Sequence, residues 1–166
     1  MKIYTRKGDD GTTCDLRGRR VKKNSPAIIA CGEIDELSAT IGLARPIARQ
    51  CGSQHLHDTL LELQRKLIEM AAAVSDPAWA VHLNPQKDID TIEKLIDEYT
   101  NQNGPMKSFM IPGDNELSAR LNMARTLCRR VERSLVTLAD NEDMPQLLLA
   151  WFNRLGDLLF EMARGA

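Results

Sequence analysis

The sequence predicts an all-α protein, a five-helix bundle with an extended N-terminal loop. In five segments, apolar residues recur at three- and four-residue steps, and Pro, Gly and Asn separate these segments. Aromatic residues make up only 4% of the chain, which is rich instead in Leu, Ala, Glu, Arg and Ile. No pair of segments indicates a β-hairpin. The 166 residues suffice for one domain, residues 1–166, with a core of its own.

Residues 1–24 form the predicted loop, because they are polar and show no helical period. Loops of this length are usually either functional or disordered. Gly8 and Gly11 permit tight turns with free backbone N–H groups, and Arg6, Lys7 and the threonines add further donors. These groups suit a polyphosphate, although the segment is not a Walker A motif. The residues alone leave an ordinary flexible tail as an equal alternative.

The bundle is predicted to occupy residues 25–166, and its first two helices have clear boundaries. Ser25 can cap the first helix, and Pro26 fits its first helical position. The apolar stripe of this helix extends to the Arg45–Pro46 pair, where the proline should end it. A second helix is predicted over residues 55–75, where an Asp-Pro pair follows.

Three further helices follow the same logic. The third should open at Asn84, just before a proline, and stop at "NQNGP", residues 101–105. Asp114 is the predicted cap of a fourth helix over residues 115–138. A proline at the start of residues 145–164 suits the first turn of a fifth helix.

The composition excludes several classes of function. No apolar run approaches the roughly 20 residues of a membrane span, and the N-terminus lacks the apolar region of a signal peptide. A net charge of -1 and few aromatics argue against a nucleic-acid-binding domain. The cysteines lack CxxC spacing and the histidines lack ligand spacing, which predicts reduced thiols, no metal site and a cytoplasmic location: Cys14, Cys31, Cys51, Cys128, His55, His57 and His82.

The fourth helix contains "MARTLCRRVERSL", residues 123–135, where positive charge is concentrated. At about 100° per residue, Arg125, Arg129 and Arg133 share one face, Glu132 lies beside them, and Arg130 lies further round at the periphery. The predicted core face is formed by Leu117, Leu121, Ala124, Leu127, Cys128, Val131, Leu135 and Leu138.

Two interpretations of this basic face remain open from the residues alone. One is a solvated surface. The other is a site for an anion, either a phosphate-bearing ligand or a carboxylate from another element, because guanidinium groups make planar, bidentate contacts. Asp35 in "CGEIDEL" is a candidate carboxylate for Arg125, although it is also a plausible solvated helix residue.

Four segments in order along nearly the whole chain resemble the PduO-type ATP:cob(I)alamin adenosyltransferases. They are "YTRKGDDGTT", "CGEIDELSATIGLAR", "SFMIPGDNELSARLNMARTLCRRVER" and "WFNRLGDLLFEMAR". The CRR-x-ER block is the most specific of them.

The resemblance implies a five-helix bundle that assembles as a homotrimer with active sites between subunits. It implies that reduced cob(I)alamin attacks the 5′ carbon of ATP, giving adenosylcobalamin and triphosphate. Mg²⁺ accompanies the ATP, bound mainly through the phosphates, and K⁺ is associated with some members. A cob(II)alamin reductase or an adenosylcobalamin-dependent enzyme is the kind of protein partner that this chemistry implies.

The resemblance also implies roles for particular residues. The loop that wraps the triphosphate corresponds to Thr5, Gly8, Asp9, Gly11, Thr12 and Thr13. Further nucleotide-site positions correspond to Lys23, Arg129, Glu132 and Asn153. Arg125 and Asp35 correspond to a pair that bridges subunits, and Phe109 to the aromatic that displaces the lower ligand of the corrinoid. Arg125, Arg129, Asp35 and Phe109 are therefore the expected catalytic residues.

Departures from the family pattern keep an alternative open. Asp15 and Glu33 add negative charge near the expected phosphate site, which should weaken ATP binding unless Lys7 or Arg17 neutralises them. The alternative is a divergent, non-catalytic paralogue that binds cobalamin or a nucleotide on the same fold.

Overall fold

The described residues form a bundle of five α-helices with a small hairpin in front of it. The computed structural model describes residues 4–106, 108–140, 144 and 146–166. The helices are α1 Pro26–Gln50, α2 Gln54–Ser75, α3 Pro85–Asn103, α4 Glu116–Ala139 and α5 Gln146–Arg164. A short 3-10 helix, Pro77–His82, follows α2, and strands β1 Thr12–Cys14 and β2 Arg20–Lys22 precede α1. The predicted five-helix bundle is confirmed.

The prediction of no hairpin was wrong. Strands β1 and β2 pair antiparallel, with Thr12 opposite Lys22 and Cys14 opposite Arg20. Each strand has only three residues and none of them is buried, so no alternating apolar pattern marks them in the sequence. The rest of residues 4–24 has no regular secondary structure.

Helices α1 and α4 are central to the packing. Helix α1 packs against α2 on one side and α4 on the other, while α5 packs against α4 and α3. The Ser118 hydroxyl donates to the Ala163 carbonyl, and the Cys128 thiol donates to the Phe152 carbonyl, so α4 and α5 run antiparallel. All five helices contribute to one apolar core.

The core face predicted for α4 is confirmed. All eight residues of that face are buried, together with Ser118 and Asn122. Removing each large apolar side chain from water contributes about 1.5–3 kcal/mol, which makes this seam a main source of stability. None of the described helices combines the length and apolar character that a bilayer crossing needs.

Helix α1 continues past its predicted end. It runs through Pro46 to Gln50, although proline removes the backbone hydrogen bond to the Gly42 carbonyl. Ala44 and Ala48 are fully buried on either side of the proline, so packing outweighs the lost bond. Ser25 occupies the predicted cap position but its side chain makes no capping bond.

The start of α4 also differs from the prediction. Asn115, not Asp114, is the capping residue, because the Asn115 side-chain oxygen accepts the Ser118 N–H at 2.9 Å. The proline predicted in the first turn of the fifth helix, Pro145, lies outside the described residues.

The four cysteines are free thiols. Burial raises the pKa of Cys31 to about 11 and raises the pKa of the deeply buried Cys128 further. Both thiols are therefore neutral at physiological pH and act as small core groups.

A matched pair of leucines in α1 tests the assignment of the core. Leu37 is fully buried whereas Leu43 is 52% exposed. We expect Leu37→Ala to lower the free energy of unfolding by roughly 2–5 kcal/mol, and Leu43→Ala by about 1 kcal/mol or less. Urea denaturation followed by circular dichroism measures both values, and equal losses would contradict the assignment.

Candidate functional site

The N-terminal loop folds into a compact turn in front of the hairpin. The Asp9 N–H donates to the Arg6 carbonyl at 3.4 Å, and the Gly11 N–H donates to the Gly8 carbonyl at 3.3 Å. Gly11 has a φ of 80°, a conformation that favours glycine. The Gly11 carbonyl accepts the Lys23 N–H at 3.0 Å, which closes the turn against the end of β2.

Gly8 lets a lysine ammonium lie against this turn. A β-carbon at position 8 would be 3.3 Å from Lys23 Nζ and 3.1 Å from the Thr12 carbonyl oxygen. The structure therefore brings together three residues of the predicted triphosphate loop, Gly8, Gly11 and Thr12, with Lys23, which was predicted separately for the nucleotide site. Thr5 belongs to the same loop, and its hydroxyl accepts the Lys7 N–H at 3.4 Å.

A carboxylate that the sequence prediction missed holds the loop in shape. Asp10 accepts the Thr12 N–H at 2.9 Å and the Thr12 hydroxyl at 2.6 Å, and Arg20 donates to the same carboxylate at 3.1 Å. These hydrogen bonds from Thr12 and the Arg20 charge lower the pKa of Asp10. The signal was available, because an Asp two residues before a Thr is typical of an Asx turn. Thr12 supports the loop with its hydroxyl.

The hairpin is attached to the end of α2 by polar contacts. Arg17 pairs with Asp76 at 2.7 Å, and the Leu16 N–H donates to the Ser75 hydroxyl at 3.3 Å. Asp15 pairs with Arg19 at 2.7 Å. The sequence offered Lys7 and Arg17 as possible partners for Asp15, but Arg19 pairs with it and Arg17 pairs with Asp76 instead.

The arginine row of α4 contains one half-buried and two exposed members. Arg125 donates to the Asn122 side chain at 3.2 Å, and its guanidinium lies 6.0 Å from the centre of the Phe160 ring. Arg129 and Arg133 are exposed, and neither is paired with a carboxylate of the described residues. This face of α4 thus carries uncompensated positive charge.

Arg130 is not peripheral. Its guanidinium pairs with Glu36 on α1 and lies 3.7 Å from Glu33, whose side chain is only 19% exposed. The second oxygen of Glu33 is buried without a hydrogen-bond partner. The charge of Glu33 is therefore balanced by Arg130 rather than by Lys7 or Arg17, and the cluster joins α1 to α4.

Two further predicted residues contact each other next to this face. The Asn153 side chain on α5 donates to the Glu132 carboxylate on α4 at 3.0 Å. Asn153 in turn accepts from Arg154 at 2.8 Å. The structure therefore places an amide and a carboxylate side by side, one turn from Arg129.

The structure does not pair Asp35 with Arg125 within one chain. Asp35 is exposed on α1, whereas Arg125 is occupied by Asn122 and Phe160. Asn122 and Phe160 were missed by sequence reasoning, since only the packing of α4 against α5 makes them neighbours of Arg125.

Phe109 lies in the loop between α3 and α4 and is 95% exposed. This loop enters the N-terminus of α4, whereas the hairpin contacts the C-terminus of α2, next to the opposite end of α4. Helix α4 has 24 residues and is thus about 36 Å long. One chain therefore separates Phe109 from the phosphate loop by about the length of the bundle.

Among the residues that the structure describes, no cluster of three or more His, Cys, Asp or Glu side chains could hold a metal ion.

A sequence profile of the family described as cobalamin adenosyltransferase matches residues 3–166. The chain belongs to the cobalamin adenosyltransferase family. It is 39% identical to the corrinoid adenosyltransferase PduO of Salmonella typhimurium over 169 residues, covering 99% of this chain and 49% of that protein. The chain thus spans about half the length of this relative. A corrinoid adenosyltransferase of Citrobacter freundii is 38% identical, and the match covers 98% of this chain and 93% of that protein.

Solved structures of this adenosyltransferase family have the same fold. A phenylalanine-to-histidine variant of the PduO-type ATP:corrinoid adenosyltransferase from Lactobacillus reuteri, complexed with cobalamin and ATP, has a TM-score of 0.90. It is 33% identical, and the match covers 98% of this chain and 89% of that one. An arginine-to-lysine variant complexed with ATP has a TM-score of 0.89 at 34% identity, covering 98% and 93% of the two chains.

The Arg130 cluster gives a testable prediction for stability. Arg130→Gln leaves the largely buried Glu33 carboxylate without its cation, so we expect a loss of roughly 1–3 kcal/mol in the free energy of unfolding. Arg120→Gln is the matched control on the same helix, because its i,i+4 pair with Glu116 is exposed and should contribute less than about 0.5 kcal/mol. Urea denaturation measures both losses.

The loss should shrink when Glu33→Gln accompanies Arg130→Gln, because no buried charge is then left unpaired. A loss for Arg130→Gln no larger than that for Arg120→Gln would contradict this account.

Proposed function

We propose that this chain transfers the 5′-deoxyadenosyl group of ATP to the cobalt of cob(I)alamin, giving adenosylcobalamin and triphosphate. The observation that carries the proposal is the uncompensated arginine face of α4, with the Glu132–Asn153 pair beside it. Family membership supports it, since the similar Lactobacillus protein is complexed with cobalamin and ATP. Exposed arginines that have no carboxylate partner among the described residues suit a reaction whose leaving group is a polyphosphate.

Residues 1–24 are proposed as the ATP-binding loop, and residues 25–166 as the helical bundle that holds it. Backbone N–H groups of the turn around Gly8 and Gly11, with the ammonium of Lys23, would bind the phosphates. The remaining nucleotide positions are proposed from the family pattern: Thr5, Asp9, Thr12, Thr13, Arg129, Glu132 and Asn153. Arg129 is exposed and has no described carboxylate partner, so its guanidinium is available to a phosphate.

Mg²⁺ is proposed to reach the site with ATP, bound mainly through phosphate oxygens. The donor set fits this role, because the loop offers hydroxyls and the Asp9 carboxylate rather than a protein cage for the ion. Mg²⁺ would neutralise part of the phosphate charge. K⁺, seen as an associate of some members, is a candidate second cation for the same phosphates.

In this reaction the protein has to position the two substrates and stabilise the charge of the leaving group. The cobalt of cob(I)alamin supplies an electron pair to C5′, the Co–C bond forms, and the C5′–O bond breaks. The electron pair of that bond leaves with triphosphate, so no general base is needed. Lys23 and Arg129 would stabilise the negative charge that the leaving group carries, and the Gly8 turn would fix its position.

The corrinoid half of the site is proposed to come from another subunit. Phe109 and the phosphate loop lie at opposite ends of the same chain, so a site containing both needs a second copy. We propose a homotrimer with sites between subunits, in which Asp35 of one chain pairs with Arg125 of its neighbour. Phe109, which the fold leaves 95% exposed, would then cover the lower face of the corrinoid and displace its lower ligand.

The setting of the proposed enzyme follows from its substrates. A cob(II)alamin reductase would supply the reduced corrinoid, and an adenosylcobalamin-dependent enzyme would consume the product. The four free thiols and the need for ATP support the cytoplasm as the location.

Support for the alternative, a non-catalytic paralogue, is weaker in the structure than in the sequence. It rested on the negative charges of Asp15 and Glu33, and each has an arginine of its own chain beside it. Neither carboxylate therefore opposes a phosphate with its full charge.

The proposed function is tested by mixing the protein with ATP, Mg²⁺ and chemically reduced cobalamin. We expect light-sensitive adenosylcobalamin to form, and its absorbance spectrum detects it. Ligand binding in calorimetry without any product would instead favour the non-catalytic paralogue.

Substitutions in the arginine row separate the proposed roles. Arg129→Ala should lower kcat/KM for ATP by about tenfold or more, because a charge-assisted contact to phosphate is lost. Arg125→Ala should also lower kcat/KM for the corrinoid, because the proposed pair with Asp35 shapes that half of the site. Arg133→Ala is the matched control on the same exposed face. Equal, negligible effects of all three substitutions would indicate that the arginine row is only a solvated surface.

Phe109→Ala tests the corrinoid half without disturbing the fold. The phenyl ring makes little contact within its own chain, so the free energy of unfolding measured in urea should stay within about 0.5 kcal/mol of the wild-type value. We expect kcat/KM for the corrinoid to fall at least about tenfold, since the ring no longer excludes the lower ligand. Ile111→Ala is the control, because Ile111 is an exposed apolar side chain of the same loop. Unchanged corrinoid kinetics would contradict the role of Phe109.

A further inference from the structure

A second cationic cavity lies between α1 and α2, on the side of α1 that faces away from α4. Its volume is about 540 Å³, within the range of small-molecule sites. Six residues line it: Gly42, Arg45, Pro46, Arg49, Gln50 and His57. None of them belongs to the nucleotide or corrinoid site proposed above.

Arg45 is held in place at this cavity by α2. Its guanidinium donates to the Gln64 side-chain oxygen at 2.9 Å, and the Gln64 amide donates to the Ser38 carbonyl at 2.8 Å. Gly42 allows this approach, because a β-carbon there would be 3.1 Å from the Gln64 nitrogen. The Nε of Arg45 is buried without a hydrogen-bond partner. The side chain is thus ordered by neutral groups, with its charge uncompensated.

His57 is also oriented by its neighbours. One Arg45 nitrogen lies 3.5 Å from His57 Nε2, and His57 Nδ1 lies 3.0 Å from Asp58. Gln54 also lies against this carboxylate, at 2.8 Å. The ring is therefore held in position at the wall of the cavity by these polar neighbours.

This cavity is unusual because two of the arginines that line it have no carboxylate partner among the described residues. Most described arginines have a carboxylate within ion-pair distance. The exceptions are Arg6, Arg45, Arg49, Arg125, Arg129 and Arg133. Three of them form the α4 row, Arg6 lies over the Tyr4 ring, and the remaining two line this cavity at i and i+4. Two cations this close repel each other unless an anion lies between them.

The lining also offers an acceptor. Pro46 has no N–H, so the helical hydrogen bond to the Gly42 carbonyl is absent, and both residues line the cavity. Guanidinium donors beside a carbonyl acceptor suit a phosphate group that carries both charged and protonated oxygens.

We propose that this cavity is a second anion site, which binds a phosphate-bearing small molecule through Arg45 and Arg49, with His57 holding the Arg45 side chain in place. The site is separate from the arginine row of α4 and does not depend on the adenosyl transfer proposed above. Its ligand is either a single phosphate group or a polyphosphate chain such as triphosphate. The volume of the cavity accommodates both.

The test is a thermal-shift titration of the full chain with inorganic phosphate and, separately, triphosphate. ATP is left out, because its own triphosphate would compete for the cavity, and ionic strength is held constant with chloride. A ligand that binds only the folded state raises the midpoint with its own saturation curve. In Arg49→Gln, half-saturation should require about tenfold more ligand, because one charge-assisted contact is lost.

Arg65→Gln is the matched control, since it removes one exposed arginine charge on α2 that is paired with Glu62. It should titrate like wild type, which separates site binding from general salt effects. His57→Gln provides a second variant at the cavity and should weaken binding in the same direction. A half-saturation concentration for triphosphate about tenfold below that for phosphate identifies a polyphosphate ligand, and equal values identify a single phosphate group. The proposal is overturned if wild type shows no saturable shift, or if Arg49→Gln titrates like Arg65→Gln for both probes.

Discussion

The packing of α4 against both α1 and α5 is the constraint on which the rest of the structure depends. One apolar face of α4 fills the space between two neighbours, so its register and rotation are fixed by the core. That rotation leaves the opposite face turned outward with its arginines at four-residue intervals. Charge on this face cannot be avoided by turning the helix, because turning it would expose the leucines.

The arginines of α4 differ in their environments. Arg130 is bound to carboxylates of α1, and Arg125 is held by an amide and an aromatic ring, neither of which cancels its charge. Arg129 keeps an open guanidinium. These arginines of α4 thus comprise a structural cation, Arg130, an oriented cation, Arg125, and two available cations, Arg129 and Arg133, which suits the proposed binding of an anion.

Much of this could be predicted from the sequence, since helical periodicity reports burial directly. The buried face of α4 and the approximate ends of α2 and α3 follow from the spacing of apolar residues. The path of α1 through Pro46 could not be predicted, because the compensation comes from Ala44 and Ala48 packing against other helices. The hairpin could not be predicted either, since its three-residue strands bury nothing that a pattern would reveal.

The candidate site likewise contains features that the sequence predicts and features that it does not. The turn around Gly8 follows from local chemistry, and the structure brings Lys23 against it. The partners of Arg130 and Arg125 lie on other helices, at positions that no spacing within α4 specifies. The described residues show no contact of Phe109 or Asp35 with the loop, so their proposed roles rest on the family resemblance and on the proposed assembly of several chains.

The polar attachment of the hairpin has a consequence for local stability. The described residues 4–24 include none that is buried, and the hairpin is joined to α2 through an exposed ion pair and a hydroxyl contact. Such a segment opens at a small fraction of the free energy that unfolds the bundle. If only part of the population holds the closed form, the apparent affinity for a nucleotide falls by that fraction. Amide exchange in this segment would therefore report nucleotide binding long before the helices respond.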